Sequence, residues 1–317
     1  MLEYLYNSWL GKVKFLRRER MKNSYKQFSL DRRKGIGGSD IAAIMGLSPF
    51  RTALDVFLEK TTDNEGADSQ CMQRGRRLEK YILEEYAERN EEELEVNIPV
   101  IKSKEYPFLI GHIDAKVKDK NIIVEAKSVA GFASIWNDEI PIYYRTQVAH
   151  YASIADADRV DVAVLFDRWN FACYTYWRNK ELEAKIKKTA IDFWNNHIIK
   201  GIPPAPENVK DVQKMYSKVS NQEEEIEINK EIELSVKELQ KITVEKKELK
   251  EKEETIKLDI MKYMKDKEFL VKDDRKLVSW KTQDRNTFNI TKFKVEHPAI
   301  YKSYLNKNTM RVFKVYE

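Results

Sequence analysis

The chain has 317 residues, 34% of them charged and 42% hydrophobic, with a formal net charge of +5 at neutral pH. That length supports two domains and a sizeable core, and the lack of any apolar run of about 18 residues excludes a membrane-spanning helix. With only Cys71 and Cys173, neither a disulfide framework nor a four-cysteine metal or iron–sulfur site can be built, which points to a reducing, cytoplasmic setting.

The N-terminal stretch MLEYLYNSWLGKVKFLRRER has no secretory-signal core or cleavage site. Residues 1–28 read as a helix, docked on the core or lying on a surface. Between Lys12 and Lys34 ten Lys or Arg residues face only Glu19 and Asp31, a concentration suited to a polyanion or to a solvated basic face. Next comes Asp31-Arg32-Arg33-Lys34-Gly35-Ile36-Gly37-Gly38-Ser39-Asp40, then the apolar run IAAIMG. Glycines ahead of Ser39 or Asp40 as N-cap mark a tight entry into a helix. Backbone N–H groups there, with Ser39 and the flanking arginines, can hold a phosphate or simply cap a turn.

A further helix is expected over 52–60 and another over 71–90, where Leu78, Ile82 and Tyr86 form an apolar stripe and Glu79 borders it. Strands are expected at 94–101, 107–117 and 121–128. In IGHIDAKVKDKNIIVEAK, Ile113, Ala115 and Val117 alternate with His112, Asp114 and Lys116. The second strand sets Glu125 and Lys127 on one face. A hairpin about Lys118–Asn121 can bring Asp114 beside them. Two carboxylates and a Lys on a core sheet are costly to bury without a use, and a divalent metal ion held by the carboxylates supplies one. His112 and His150 can line the same cleft or serve the core.

A helix over 141–155 puts Gln147 and Tyr151 on one face, strands follow at 159–167 and 170–177, and a helix at 180–199. This order gives an α/β core with a mixed central sheet flanked by helices. Gly201-Ile202-Pro203-Pro204-Ala205-Pro206 is a stiff break. Three regions are therefore expected: a domain over 1–208, a charged helical region over 209–266 and a small α+β tail over 267–317. In the helical region eight of eleven heptad positions from Ile228 to Tyr263 are apolar, as in a coiled coil or helical hairpin. The tail reads as a hairpin about Asp273-Asp274, a helix near 290–305 and a last strand, MRVFKVY.

Asp114, ten residues, then Glu125-x-Lys127, with Glu79 upstream and Gln147-x-x-x-Tyr151 downstream, resembles the PD-(D/E)xK nuclease superfamily. Adding RRKGIGGSDIAAIMGLSPFRTALDVFLEK, GRRLEKYILEEY, IGHIDA, VEAK and QVAHY, the stretch from Arg32 to Pro204 resembles the YqaJ-type viral recombinase family, relatives of phage lambda exonuclease. The resemblance implies a restriction-endonuclease-like core. It implies metal ligation by Asp114, Glu125, the Ala126 backbone carbonyl and Glu79, with Mg²⁺ as cofactor and Mn²⁺ as a substitute. Lys127 and Gln147 would be catalytic, Tyr151 would help hold substrate, and Arg32 or Arg33 would grip a 5′-terminal phosphate with Ser39. The implied activity is 5′-to-3′ digestion of double-stranded DNA ends in a bacterial or phage-infected cell. A single-strand annealing protein would be the partner and a trimeric ring the assembly. An endonuclease, or a DNA-binding scaffold on a degenerate nuclease fold, are the alternatives.

Overall fold

The computed structural model describes residues 32–62, 69–129, 135–136, 139–167, 169–217, 225–306 and 310–316. The helix expected over 1–28 lies outside them. Contacts divide the chain into two compact units that meet between Asp211 and Val212.

The first unit opens with α1 (Gly38–Ile44) and α2 (Ala53–Thr61), followed by the long α3 (Gln70–Asn90). Ser69 and Thr52 cap α3 and α2 with their hydroxyls, accepting from Met72 and Asp55 N–H. Five short or medium strands follow: β1 (Leu94–Val96), β2 (Ile101–Lys102), β3 (Ile110–Gly111), β4 (Ala115–Val117) and β5 (Ile122–Val129). Then come α4 (Ile142–Ala155), β6 (Arg159–Phe166), β7 (Asn170–Trp177) and α5 (Lys180–Phe193), which passes into a π-helical turn over Trp194–Ile199.

The central sheet has five strands in the order β1-β4-β5-β6-β7. β5 runs parallel to β6 and every other pair is antiparallel, so the sheet is mixed, as expected. The β5-to-β6 crossover is made by α4, as a parallel pair requires. One face is covered by α3, whose Ile82, Leu83 and Tyr86 pack on Ala115, Val117, Ile122, Val124, Ala163 and Leu165. Each large apolar side chain buried there contributes about 1.5–3 kcal/mol. Alternation then turns Ile123, Glu125 and Lys127 to the other face, toward α4.

The expected continuous strand over 107–117 is broken. Ile110–Gly111 leaves the main sheet to pair with Ile101–Lys102, and pairing to β5 resumes only at Ala115. Asp114 therefore stands at the bend that enters β4. The helix entry also differs: Gly37 is the N-cap of α1, and Asp40, three residues on, accepts from the Gly37 N–H at 3.0 Å. Ser39 is left out of the cap, with its hydroxyl available to Arg32.

The second unit contains α7 (Lys230–Met264), reached after α6 (Val209–Met215) has carried the chain across the division. α7 is one unbroken helix of 35 residues. This corrects the helical-hairpin alternative: with no Gly or Pro inside it, nothing turns the chain. The tail holds a hairpin of β8 (Phe269–Lys272) and β9 (Arg275–Ser279). Its turn has Asp273 and Asp274 at φ 48° and 59°, the left-handed pair a two-residue hairpin loop requires. The expected helix near 290–305 is two helices, α8 (Ile290–Glu296) and α9 (Pro298–Ser303), divided at His297 because Pro298 cannot continue the first. Residues 310–316 form no strand, having no ladder partner among the described residues.

Candidate active site

β5 is the central strand, and its residues meet α4 on one face. Glu125 is 3% exposed. Its Oε1 accepts from the Lys127 ammonium at 2.5 Å and from Gln147 Nε2 at 2.7 Å. Gln147 Nε2 also donates to the Tyr151 hydroxyl at 3.0 Å, one turn along α4. Asp114 reaches the same place from the bend before β4, its Oδ2 accepting from the Ala126 N–H at 2.8 Å. The fold thus brings Asp114, Glu125, Ala126, Lys127, Gln147 and Tyr151 together from two strands and a helix. Glu79, half-buried on α3, joins them electrostatically, since its carboxyl feels Asp114 and Lys127.

Burial sets the proton affinities. It pushes the Glu125 carboxyl up to about 8, with Asp114 adding repulsion and Lys127 opposing. Burial and then Asp114 push Glu79 up to about 7. Asp114 is raised for the same first reason, against Lys127 and the Ala126 N–H. Burial alone would lower Lys127, but Glu125 and Asp114 hold it above its ordinary value. Three carboxylates thus gather around Lys127, with Arg76 acting on Glu79 alone, an excess of negative charge that a hard divalent ion suits.

Glu125 Oε2 is the second indication. It is buried and has no hydrogen-bond partner among the described residues, a cost that a carboxylate oxygen avoids when it has a ligand to bind. Among the described residues no three acidic, imidazole or thiol groups already converge as a ready cluster. The donors nonetheless fit a hard cation: all are oxygens, and one is buried and unsatisfied. His150 does not contribute, because its Nε2 donates to the Ile110 carbonyl at 2.9 Å inside the core. His112 lies half-buried in the link between β3 and β4.

A second cluster lies at α1. Arg32 donates from one guanidinium nitrogen to Ser39 Oγ at 3.2 Å and to Asp40 Oδ1 at 3.1 Å. Asp40 is fully buried and also binds Lys60 at 2.8 Å and Arg51 at 3.2 Å, while Glu59 joins Arg51 at 2.5 Å. Burial would raise the Asp40 carboxyl, but Lys60, Arg32 and Arg51 hold it far below the carboxylate range. Of the two candidate arginines, Arg32 is the one on Ser39. Arg33 has its Nε and one terminal guanidinium nitrogen buried in the fold.

The two clusters touch through Gly38. A Cβ there would lie 2.5 Å from the Tyr151 ring and 3.0 Å from Gln147 Cγ, so only glycine lets α1 lie this close to α4. Sequence reasoning missed Asp40, Arg51 and Lys60. Their separations of 11 and 9 residues follow no helical or strand period, although the density of charge around an otherwise apolar helix was a signal.

The description "YqaJ-like viral recombinase domain" matches residues 27–158. A Bacillus subtilis (strain 168) protein, "Uncharacterized protein YqaJ", is 27% identical over 306 residues, covering 93% of this chain and 95% of that protein. Among solved structures, an alkaline exonuclease from Laribacter hongkongensis is 17% identical with a TM-score of 0.48, covering 55% of this chain and 93% of its own. A phage-related exonuclease from Haemophilus somnus 129PT is 15% identical with a TM-score of 0.42, covering 53% and 96%. No helix of the described residues is long and apolar enough to cross a membrane.

Proposed function

From the match of residues 27–158 to the YqaJ-like viral recombinase domain, we propose that the chain is a member of that family and a metal-dependent exonuclease that digests double-stranded DNA from a 5′ end. The observation that carries this reading is the buried Glu125 carboxylate. One oxygen is held by Lys127 and Gln147, the other is unsatisfied, and Asp114 is fixed on the adjacent Ala126 N–H.

Asp114, Glu125, the Ala126 carbonyl and Glu79 would hold Mg²⁺, with Mn²⁺ able to replace it. When bound, such an ion acidifies a water molecule and neutralises charge on the phosphodiester. Lys127 orients the attacking water and offsets negative charge on the non-bridging oxygens as it develops. Gln147 fixes the plane of the Glu125 carboxylate, and Tyr151 fixes Gln147. Arg32, with Ser39, grips the terminal phosphate and so selects an end. The buried Asp40 holds Arg32 in that orientation.

The finer parts of the proposal are the products and partners. Removal of the 5′ strand would leave 3′ single-stranded DNA for a single-strand annealing protein. The exposed apolar seam of α7, Ile232, Leu239, Ile242, Leu249 and Ile256, would support self-association, with a trimeric ring as the expected form. Linear duplex carrying a 5′-phosphate, a 5′-hydroxyl or no end at all tests end choice. Phosphorylated ends should be digested fastest and covalently closed circles spared; cutting of circles at the same rate favours an endonuclease.

A further inference from the structure

The proposed site accounts for a terminal phosphate and a scissile phosphodiester, but not for the base of the nucleotide between them. Phe50 is 74% exposed, yet its backbone is fixed on both sides. Ser48 Oγ accepts from the N–H groups of Phe50 and Arg51, each at 3.2 Å. The Arg51 guanidinium is in turn tied to Asp40 and Glu59. Single exposed apolar side chains are ordinary, so the ring's surroundings decide its meaning. Phe50 meets Tyr143 edge-to-face with centroids 5.7 Å apart. Tyr143 lies 4.4 Å from Tyr144, and Lys127 Nζ stands 5.0 Å from the centre of the Tyr144 ring. Tyr143 and Tyr144 are both half-exposed. A line of three rings therefore runs from the loop that carries Arg51 to the Lys127 ammonium.

We propose that Phe50, backed by Tyr143, is a stacking platform for the unpaired terminal base of the strand being cut. This deepens the exonuclease reading and rests on it. Every nucleobase has a π-face, so a ring can hold it without reading sequence, while flanking cations follow the backbone phosphates. A platform at this position favours an end whose last pair has opened.

The test uses the full-length protein and 5′-phosphorylated duplexes whose terminal nucleotide is either intact or abasic. In the wild type, loss of the base should raise KM about 5- to 150-fold, the range expected for stacking on one ring. Phe50→Ala should raise KM on the intact end by a similar factor and be insensitive to base removal. Phe50→Trp should restore the base dependence, and Phe50→Leu, apolar but without a π-face, should not. Equal sensitivity to the abasic end in wild type and Phe50→Ala, or wild-type behaviour of Phe50→Leu, overturns the proposal. A parallel arm needs no cleavage: in EDTA, a terminal 2-aminopurine should be quenched on binding by wild type and not by Phe50→Ala. Equal quenching overturns the platform even if digestion is never seen, whereas absent digestion with Phe50-dependent quenching counts against the nuclease reading alone.

Discussion

Gln147 donates to Glu125 across 2.7 Å, joining the helix that crosses the sheet to the strand at its centre. Both residues are buried, so the bond orients a carboxylate that has few other ways to be satisfied. Replacing Gln147 with Ala should lower the turnover of linear duplex by tenfold or more. A hydrogen bond to a charged group is worth about 1.5–3 kcal/mol, and the loss falls on the placement of a reacting group. Initial rates at saturating DNA measure it; a change confined to KM would assign Gln147 to DNA contact instead.

Glu125 gives a pH dependence whose sign is fixed. Its folded-state pKa of about 8 lies above the ordinary 4.5, so the folded state binds more protons than the unfolded state between those values. Stability contributed by this group must fall as pH rises through that window. Glu125→Gln, which cannot ionise, should therefore gain in melting temperature relative to wild type on going from pH 5 to pH 8. Mg²⁺ should stabilise the wild type more at pH 8 than at pH 5.5, since it binds the ionised site. Thermal melts of both proteins across the range, with EDTA and with Mg²⁺, check the two statements together.

Asp40 works in the opposite direction. Its folded-state pKa is depressed below the ordinary 3.8, so its contribution is complete above that value and is lost as pH falls below it. Asp40→Asn takes from Lys60, whose side chain is fully buried, and from Arg32 their nearer shared acid, leaving them the Glu59 carboxylate at 3.6 and 3.4 Å. The expected cost at pH 7 is about 3–5 kcal/mol, measured by urea unfolding. The difference from wild type should narrow as the pH is lowered below 4.

Gly38→Ala should disturb both clusters at once. The added methyl would meet the Tyr151 ring at 2.5 Å, and overpacking of this kind costs about 1–3 kcal/mol. A lowered melting temperature together with reduced preference for 5′-phosphorylated over 5′-hydroxyl ends is the expected pair of results.

The α7 seam predicts a mass. Sedimentation of the full chain should give an assembly of more than one copy, and Leu239→Glu with Leu249→Glu should reduce it to single chains. Both leucines are exposed on the helix, so the substitutions leave the fold of one chain unstrained. An unchanged mass would assign assembly elsewhere.

Much of the cluster around Glu125 was legible because a strand repeats every two residues. Glu125 and Lys127 had to share a face, and the Gln147–Tyr151 spacing had to share a helix side. The break between Gly111 and Ala115 was not legible, because alternation continues through it and only pairing partners reveal the bend. Asp40 was hidden for a related reason. A polar residue after glycines reads as a cap, while its partners Arg51 and Lys60 come from the next loop and helix. The apolar heptads fitted a hairpin as well as a rod, and MRVFKVY had a strand's composition without a neighbour to pair with. Packing, which local pattern does not encode, decided each case.

Digestion of a linear duplex labelled at one 5′ end tests the central claim most directly. The wild type should release the label early in Mg²⁺ and not in EDTA, while Asp114→Asn and Lys127→Ala bind the same DNA and release none. Digestion at the wild-type rate by either variant would contradict the assignment of the β4–β5 cluster as the cutting site.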